Sequence, residues 1–298
     1  MPGLGRQIHR QGPPRRPGPR RTGRARRRTG GTRGTAAAAG GHVSEAGTCL
    51  WEIRPSAAGS GGDTLLLLPH AGGSAQSYGA WARWLPDGLR VLAAKYPGRG
   101  SRGREPAETD LHRVVGELGD ALADFKGPLY VFGHSMGAYI GFELCWHRQS
   151  EGRPAQALYA SGAVPPHRLR TYPAPGVRIT DEHLLELMEK CGGIPDAFTD
   201  SPDLMSLALE LIGADLELVN AYTYGAPERR LSSPIVAFGG DRDRLVPSSE
   251  VDHWRELSTA DCATHLIPGE HLYHLDNEAA FTAAVSQHLA SLQEEWNE

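Results

Sequence analysis

Leu129-Tyr130-Val131-Phe132-Gly133-His134-Ser135-Met136-Gly137-Ala138 is the stretch that decides how this chain folds. Leu129 to Phe132 is an apolar run of strand size, and Ala138 to Arg148 continues with helical composition. Between them Gly133-His134-Ser135-Met136-Gly137 matches G-x-S-x-G. Alone, that pentapeptide is a weak signal, and a structural serine in a Gly-rich turn is the competing reading. Placed between a strand and a helix, its glycines allow a tight turn that holds Ser135 in strained backbone geometry with its hydroxyl exposed. A serine hydroxyl is a poor nucleophile at neutral pH, so the pattern calls for a histidine base and a carboxylate that fixes the tautomer of that histidine.

In this setting the partners follow in the order serine, acid, histidine. Pro234 to Phe238 reads as a strand that runs into Gly239-Gly240-Asp241-Arg242-Asp243, which puts two carboxylates, Asp241 and Asp243, at its C-terminal end. Either can orient the base. Further on, Leu266-Ile267-Pro268-Gly269-Glu270-His271 is a strand and a loop presenting a histidine. Of the 13 histidines, His265 and His274 lie close enough to compete with His271, but His265 falls inside the strand and His274 one helical turn past the loop. Acyl transfer also needs N–H donors aimed at the developing oxyanion. One is expected from Met136, directly after the serine. The loop Pro69-His70-Ala71-Gly72-Gly73, after the apolar run Leu65 to Leu68, offers the other at Ala71. That loop holds neither G-x-G-x-x-G nor the P-loop lysine motif, which argues against nucleotide binding.

Outward from this centre, short apolar runs alternate with helix-length amphipathic ones, the pattern of an α/β chain with a mostly parallel sheet. Strands are predicted at Thr64–Pro69, Arg90–Tyr96, Leu129–Gly133, Ala155–Ser161, Pro234–Gly239 and Thr264–Ile267. Helices are predicted at Ser77–Trp84, Asp110–Asp124, Met136–Arg148, Val251–Leu257 and Glu278–Glu295. Between Ser161 and Pro234 the strand rhythm stops. Helical stretches at Asp181–Lys190 and Pro202–Tyr222 fill the gap, and the segment of about 165–224 is expected to cover the C-terminal edge of the sheet, where open α/β sheets bind ligands.

Composition narrows the rest. The longest apolar runs are strand-sized, too short to span a bilayer, so no integral membrane protein is expected. Four scattered cysteines, Cys49, Cys145, Cys191 and Cys262, form no C-x-x-C pair, which argues against a zinc site or disulfide framework and fits a reducing cytoplasm. The net charge of −4 hides two opposed parts. Eleven arginines precede Gly34 and no acidic residue precedes Glu45, which leaves 20 basic residues against 35 acidic in the body. Such a body repels nucleic acid. Residues 1–42, rich in Arg, Gly and Pro and without hydrophobic periodicity, are expected to be disordered. They read as an RNA- or lipid-binding arm, a targeting segment, or sequence upstream of the natural start near Val43; with Arg outnumbering Lys 28 to 3, the mis-assigned start is the favoured reading.

Taken together, these motifs resemble the discrete type II thioesterases that accompany modular polyketide and nonribosomal peptide synthetases, relatives of the medium-chain fatty acyl thioesterase of animals. Five blocks carry the resemblance: Leu68 to Ser74 with Tyr78 and Trp81; Tyr96 to Gly100 with Arg102 and Glu105; Phe132 to Ala138; Ala214-Asp215 with Tyr222; and Gly239 to Asp243 with Gly269 to Tyr273. The resemblance implies an α/β-hydrolase fold with a helical lid over residues 43–298. It implies Ser135 as nucleophile, His271 as base, Asp243 as orienting acid, and Ala71 and Met136 as oxyanion donors, with no metal or organic cofactor. Its implied substrate is an acyl group on the phosphopantetheine arm of a separate acyl or peptidyl carrier domain, removed to proofread stalled synthases. No G-x-D-S arm-attachment motif occurs in the chain, so the carrier is expected to be met in trans. The alternative is a generic esterase or peptidase of the same fold. Glu270 stands where the family usually has Gly, and Gly213 where it usually has Arg; the first is expected to perturb the base and the second to alter lid contacts. Leu187, Met188, Leu204 and Met205 are candidates for the wall of an acyl pocket, though at helical spacing such residues are more often plain core.

Overall fold

Strand β4 (Leu129–His134) lies at the centre of a seven-stranded sheet, and all six of its residues are buried. The structure, a computed structural model, describes residues 49–56, 62–226 and 228–295. The basic segment 1–42, with its expected disorder and start site, lies outside the described residues. The other strands are β1 (Leu50–Arg54), β2 (Thr64–Leu68), β3 (Arg90–Ala94), β5 (Ala157–Ser161), β6 (Ile235–Gly240) and β7 (Cys262–Ile267). Their order across the sheet is β1-β3-β2-β4-β5-β6-β7. Among the described residues only β1 runs antiparallel, against β3, and the other strand pairings are parallel.

Parallel strands need crossovers that cover both faces, which is why these strands read as unbroken apolar runs instead of alternating ones. On β2, Leu66 and Leu68 join one core and Leu65 and Leu67 the other, and all four are fully buried. Each such leucine contributes about 1.5–3 kcal/mol. The first core is closed by helices α1 (Leu111–Ala121) and α2 (Met136–Ser150). Asp110 caps α1 by accepting the His112 N–H at 2.9 Å, and Leu111, Val114, Val115 and Leu118 form its apolar stripe. The second core is closed by α8 (Glu278–Glu295), which presents Phe281, Val285 and Leu289 at successive turns.

Several elements depart from the sequence reading, three of them near the sheet. β1 is a strand the sequence reading does not name, although Trp51-Glu52-Ile53-Arg54 alternates apolar and charged residues and packs Trp51 and Ile53 against the core. Its register shifts between Glu52 and Arg54, and the Arg54 guanidinium donates to the carbonyls of Ala82, Leu85, Pro86 and Leu89. The helix expected over Ser77–Trp84 is two 3-10 turns, Ala75–Tyr78 and Trp81–Arg83, separated around Gly79. The one expected over Val251–Leu257 is the short α6 (Ser248–Val251), running into a 3-10 turn at Asp252–Leu257.

Between β5 and β6 lie α3 (Asp181–Cys191), α4 (Asp196–Thr199) and α5 (Pro202–Ala221), so the helical insertion stands where the break in strand rhythm places it. Among the described residues no helix is long and apolar enough to cross a membrane.

Candidate active site

Ser135 sits at the bend between β4 and α2 with φ 52° and ψ −117°, and it is the one non-glycine with positive φ among the described residues. A conformation of this kind costs about 1–3 kcal/mol and persists only where its surroundings impose it. Here the imposing contacts are backbone on backbone. A Cβ on Gly133 would lie 2.0 Å from the Gly137 carbonyl oxygen, and one on Gly137 would lie 2.1 Å from that of Leu68. Both positions are therefore closed to any side chain. The Ser135 N–H is tied to the Ser161 carbonyl at 2.8 Å, and its own carbonyl accepts the Ala138 N–H at 2.9 Å. This leaves the half-buried side chain facing a cavity of about 790 Å³.

His271 lines the same cavity, brought there by the loop between β7 and the short α7 (Tyr273–Asp276). Its Nδ1 stands 2.8 Å from Asp243 Oδ2, and both side chains are almost wholly buried. A carboxylate can only accept at that distance, so the proton belongs on Nδ1 and Nε2 is left as the basic nitrogen. Asp243 is itself held: its Oδ1 accepts the N–H groups of Leu245 at 2.8 Å and Val246 at 3.0 Å.

The two carboxylates after β6 thus part company. Asp243 meets the histidine, while the exposed Asp241 accepts the Gly269 N–H at 2.8 Å and fixes the loop that carries His271. The rival histidines also find other places. His265 is exposed on β7 and stacks on Phe238. His274 is fully buried, stacked on His134 with ring centroids 3.7 Å apart. Burial holds the pKa of His134 and of His274 well below the ordinary value, and that of His70, close to both, is lowered to about 4 by burial and then by the nearby charges of His271 and Arg99.

Ala71 and Met136 both line the cavity, as does Leu187 from α3. Of the other residues suspected of shaping an acyl pocket, Met188 is buried core, Leu204 is exposed, and Met205 lines a separate groove of about 630 Å³ between α3 and α5. The apolar wall comes instead from Val164, Leu169, Tyr172, Leu216, Val219 and Leu245. Most of these lie on segments without helical periodicity, so no pattern in the sequence marks them. Glu270 forms a partly exposed ion pair with Arg244 at 3.5 Å, which directs its charge toward the lid side of the loop. Gly213 lies in the groove between the two lid helices, where a Cβ would meet Leu184 at 3.5 Å. Among the described residues no group of three or more His, Cys, Asp or Glu side chains is arranged to hold a metal ion.

Known proteins share this architecture. BorB, the type II thioesterase from the borrelidin biosynthetic cluster, is 32% identical, superposes with a TM-score of 0.70, and the match covers 80% of this chain and 97% of BorB. ClbQ, from the colibactin NRPS/PKS pathway, is 30% identical with a TM-score of 0.70, over 78% of this chain and 98% of ClbQ. Thioesterase PikA5 of Streptomyces venezuelae is 29% identical over 247 residues, 80% of this chain and 85% of PikA5. Residues 63–291 match the Thioesterase domain family, and with the serine bend, the buried His-Asp pair and these relatives in view, the chain is an α/β-hydrolase of the thioesterase family.

Proposed function

We propose that this thioester hydrolase works through Ser135, His271 and Asp243 on acyl groups tethered to the phosphopantetheine arms of carrier proteins, and that it clears stalled polyketide or nonribosomal peptide synthases in the cytoplasm. The observation that carries the reading is the buried His271–Asp243 pair at 2.8 Å opening on the same cavity as the strained Ser135. Four free thiols, Cys49, Cys145, Cys191 and Cys262, are in keeping with the compartment.

In the first step Ser135 Oγ adds to the thioester carbonyl carbon as His271 Nε2 takes its proton, and the carbonyl π electrons move onto oxygen. The N–H groups of Met136 and Ala71 receive that oxyanion. Met136 is the first residue of α2, so the positive end of the helix dipole adds to its donor. Collapse of the intermediate breaks the carbon–sulfur bond, and His271 returns the proton to the departing thiol. Water, activated by the same nitrogen, then cleaves the acyl-enzyme. Asp243 does not change protonation state; it keeps Nδ1 protonated and steadies the imidazolium.

A phosphopantetheine arm of about 18–20 Å, from extended-chain dimensions, needs a passage under the α3–α5 insertion, and the cavity bordered by Leu187, Leu216 and Val219 supplies a wall for it. An editing enzyme is expected to favour short or decarboxylated acyl groups and to turn over slowly. The test is a hydrolysis profile across acyl groups loaded on carrier proteins and the same groups on coenzyme A, with Ser135→Ala as control. The expected outcome is preference for short acyl groups on the carrier and loss of turnover in the variant. Turnover that survives Ser135→Ala overturns the mechanism; equal rates on coenzyme A, with fast release of a full-length chain, overturn the editing role.

A further inference from the structure

Asp215 and Arg99 are 116 residues apart, fall outside the triad, and are almost completely buried. Arg99 Nη2 donates to Asp215 Oδ1 at 2.5 Å and Arg99 Nη1 to Asp215 Oδ2 at 2.7 Å, a bidentate pair. Arg99 Nε donates to the Pro97 carbonyl at 3.4 Å, and both partners also bind one short loop. Asp215 Oδ2 accepts the Gly72 N–H at 2.7 Å, and Arg99 Nη1 donates to the Gly73 carbonyl at 3.2 Å. That loop is the turn from His70 to Gly73, closed by the Gly73 N–H on the His70 carbonyl at 2.9 Å, and Ala71 is one of its two central residues.

The roof of the cavity reaches the same loop by a second contact. Gly72 has φ 73°, and a Cβ there would lie 2.7 Å from Ile212 Cγ1, one turn before Asp215 on α5. The loop thus accepts α5 at van der Waals distance and is hydrogen-bonded to it. Its other side is tied to the body: Tyr96 Oη donates to the Pro69 carbonyl at 3.3 Å and Tyr78 Oη to that of Leu68 at 3.4 Å. Tyr96 also lies under the Arg99 guanidinium at 5.3 Å.

The geometry points to Asp215 and Arg99 as a positioning pair for the second oxyanion donor, so that the Ala71 N–H is correctly aimed only while the end of α5 is seated. This rests on the reading of Ala71 as that donor. The physical reason is that a turn with positive φ at its third position holds its shape only if its peptides are fixed, and here the N–H after Ala71 is fixed by a carboxylate borne on the lid. If α5 lifts at Asp215, Gly72 loses its acceptor and Arg99 is left buried without its counter-charge. Lifting is therefore opposed at this end of the helix, and substrate entry has to use the part of the insertion that is not so tied. Displacing a donor by about 1 Å costs about a hundredfold in rate, which sets the expected scale.

The test compares the wild type with Asp215→Asn and with the double variant Arg99→Met/Asp215→Leu. The double change removes both charges while keeping apolar bulk, which buried ion pairs often tolerate without loss of fold. In both variants kcat should fall, about tenfold in Asp215→Asn and about a hundredfold in the double variant, with KM held within about threefold. Affinity for a trifluoromethyl ketone analogue of the thioester, which forms an oxyanion on Ser135, should fall by the same factor as kcat. A merely structural role would instead lower the folded fraction and leave the rate per folded molecule intact. A folded variant with unchanged kcat, or one that loses only KM, overturns the proposal. Amide hydrogen exchange over residues 69–73 separates this from a failure of the functional reading. If the wild type shows no Ser135-dependent hydrolysis, the functional reading fails, and the tether still stands or falls on whether exchange in that segment speeds up in the double variant.

Discussion

The floor and the roof of the cavity are built to different standards. In the floor, β4 is buried throughout, and α2 is buried from Met136 through Cys145, so nearly every side chain near Ser135 is held from all sides. In the roof, α3 buries only Leu184 and Met188, α4 buries nothing, and α5 leaves Leu204 and Leu207 exposed at 47% and 62% before it becomes buried near Asp215. Density of contact follows the task. The bond-breaking groups must hold within about 0.5 Å, whereas a wall that admits different acyl chains has only to exclude water and yield. On α5 burial sets in where the helix reaches the turn of Ala71.

The contrast is broken most severely at the floor. Ser135→Ala removes the proposed nucleophile, and kcat for thioester hydrolysis should fall by about 10⁶-fold with the melting temperature preserved, as steady-state kinetics and calorimetry would show. Next comes Asp243→Asn, which presents an amide N–H to His271 Nδ1 and forces the wrong tautomer; a loss of about 10⁴-fold is expected. Asp241→Asn is the paired control. Because Asp241 is exposed and its side chain meets the Gly269 N–H and Arg242, its loss should cost less than about tenfold, and comparable losses in the two variants would show that the orienting acid is misassigned.

A third, smaller effect comes from acid. His134 and His274 are buried and His70 half-buried, all with lowered pKa values, so the unfolded chain binds protons that the folded one refuses, and stability must fall as pH drops below about 6.5. For His70, lowered to about 4, the loss is on the order of 2 kcal/mol at pH 5 and is complete near pH 4. Denaturant titrations at pH 7 and pH 5 would measure it. His274→Phe, which removes two buried ring nitrogens without partners, should flatten the dependence; a steeper one would contradict this account. The smallest effects belong to the roof. Leu187→Ala, on the cavity wall, should change the ranking of acyl lengths by about tenfold, and Leu207→Ala, in solvent, should move stability by no more than about 0.5 kcal/mol.

What the sequence discloses follows the same division. The serine bend is legible because two glycines and a flanking strand and helix are local features, and α8 is legible because its ends coincide with its pattern. β1 is less so, since its alternation of apolar and charged residues runs only from Trp51 to Arg54, too short to stand out. Asp241 and Asp243 cannot be separated by type or by strand position; only the turn after β6 decides which carboxylate is buried against the histidine. Arg99 and Asp215 appear in the sequence as matching letters without a task, because their meeting depends on how α5 is laid over the sheet. Nor do Leu169 and Tyr172 announce themselves as wall residues, lying on a segment whose course is set by what it packs against.

One consequence of β1 concerns the life of the protein in a crowded solution. A bare strand at the rim of a parallel sheet invites pairing with any extended chain, and β3 would be such a rim if β1 were absent. β1 closes it with a strand that is itself a poor template: its register is broken between Glu52 and Arg54, and Glu52 is exposed. Arg54 locks it down through four carbonyls of the segment from Ala82 to Leu89. Loosening that arginine would expose a sticky edge three strands from β4 and the proposed catalytic groups, so its substitution should appear first as aggregation on expression and only afterwards as lost activity.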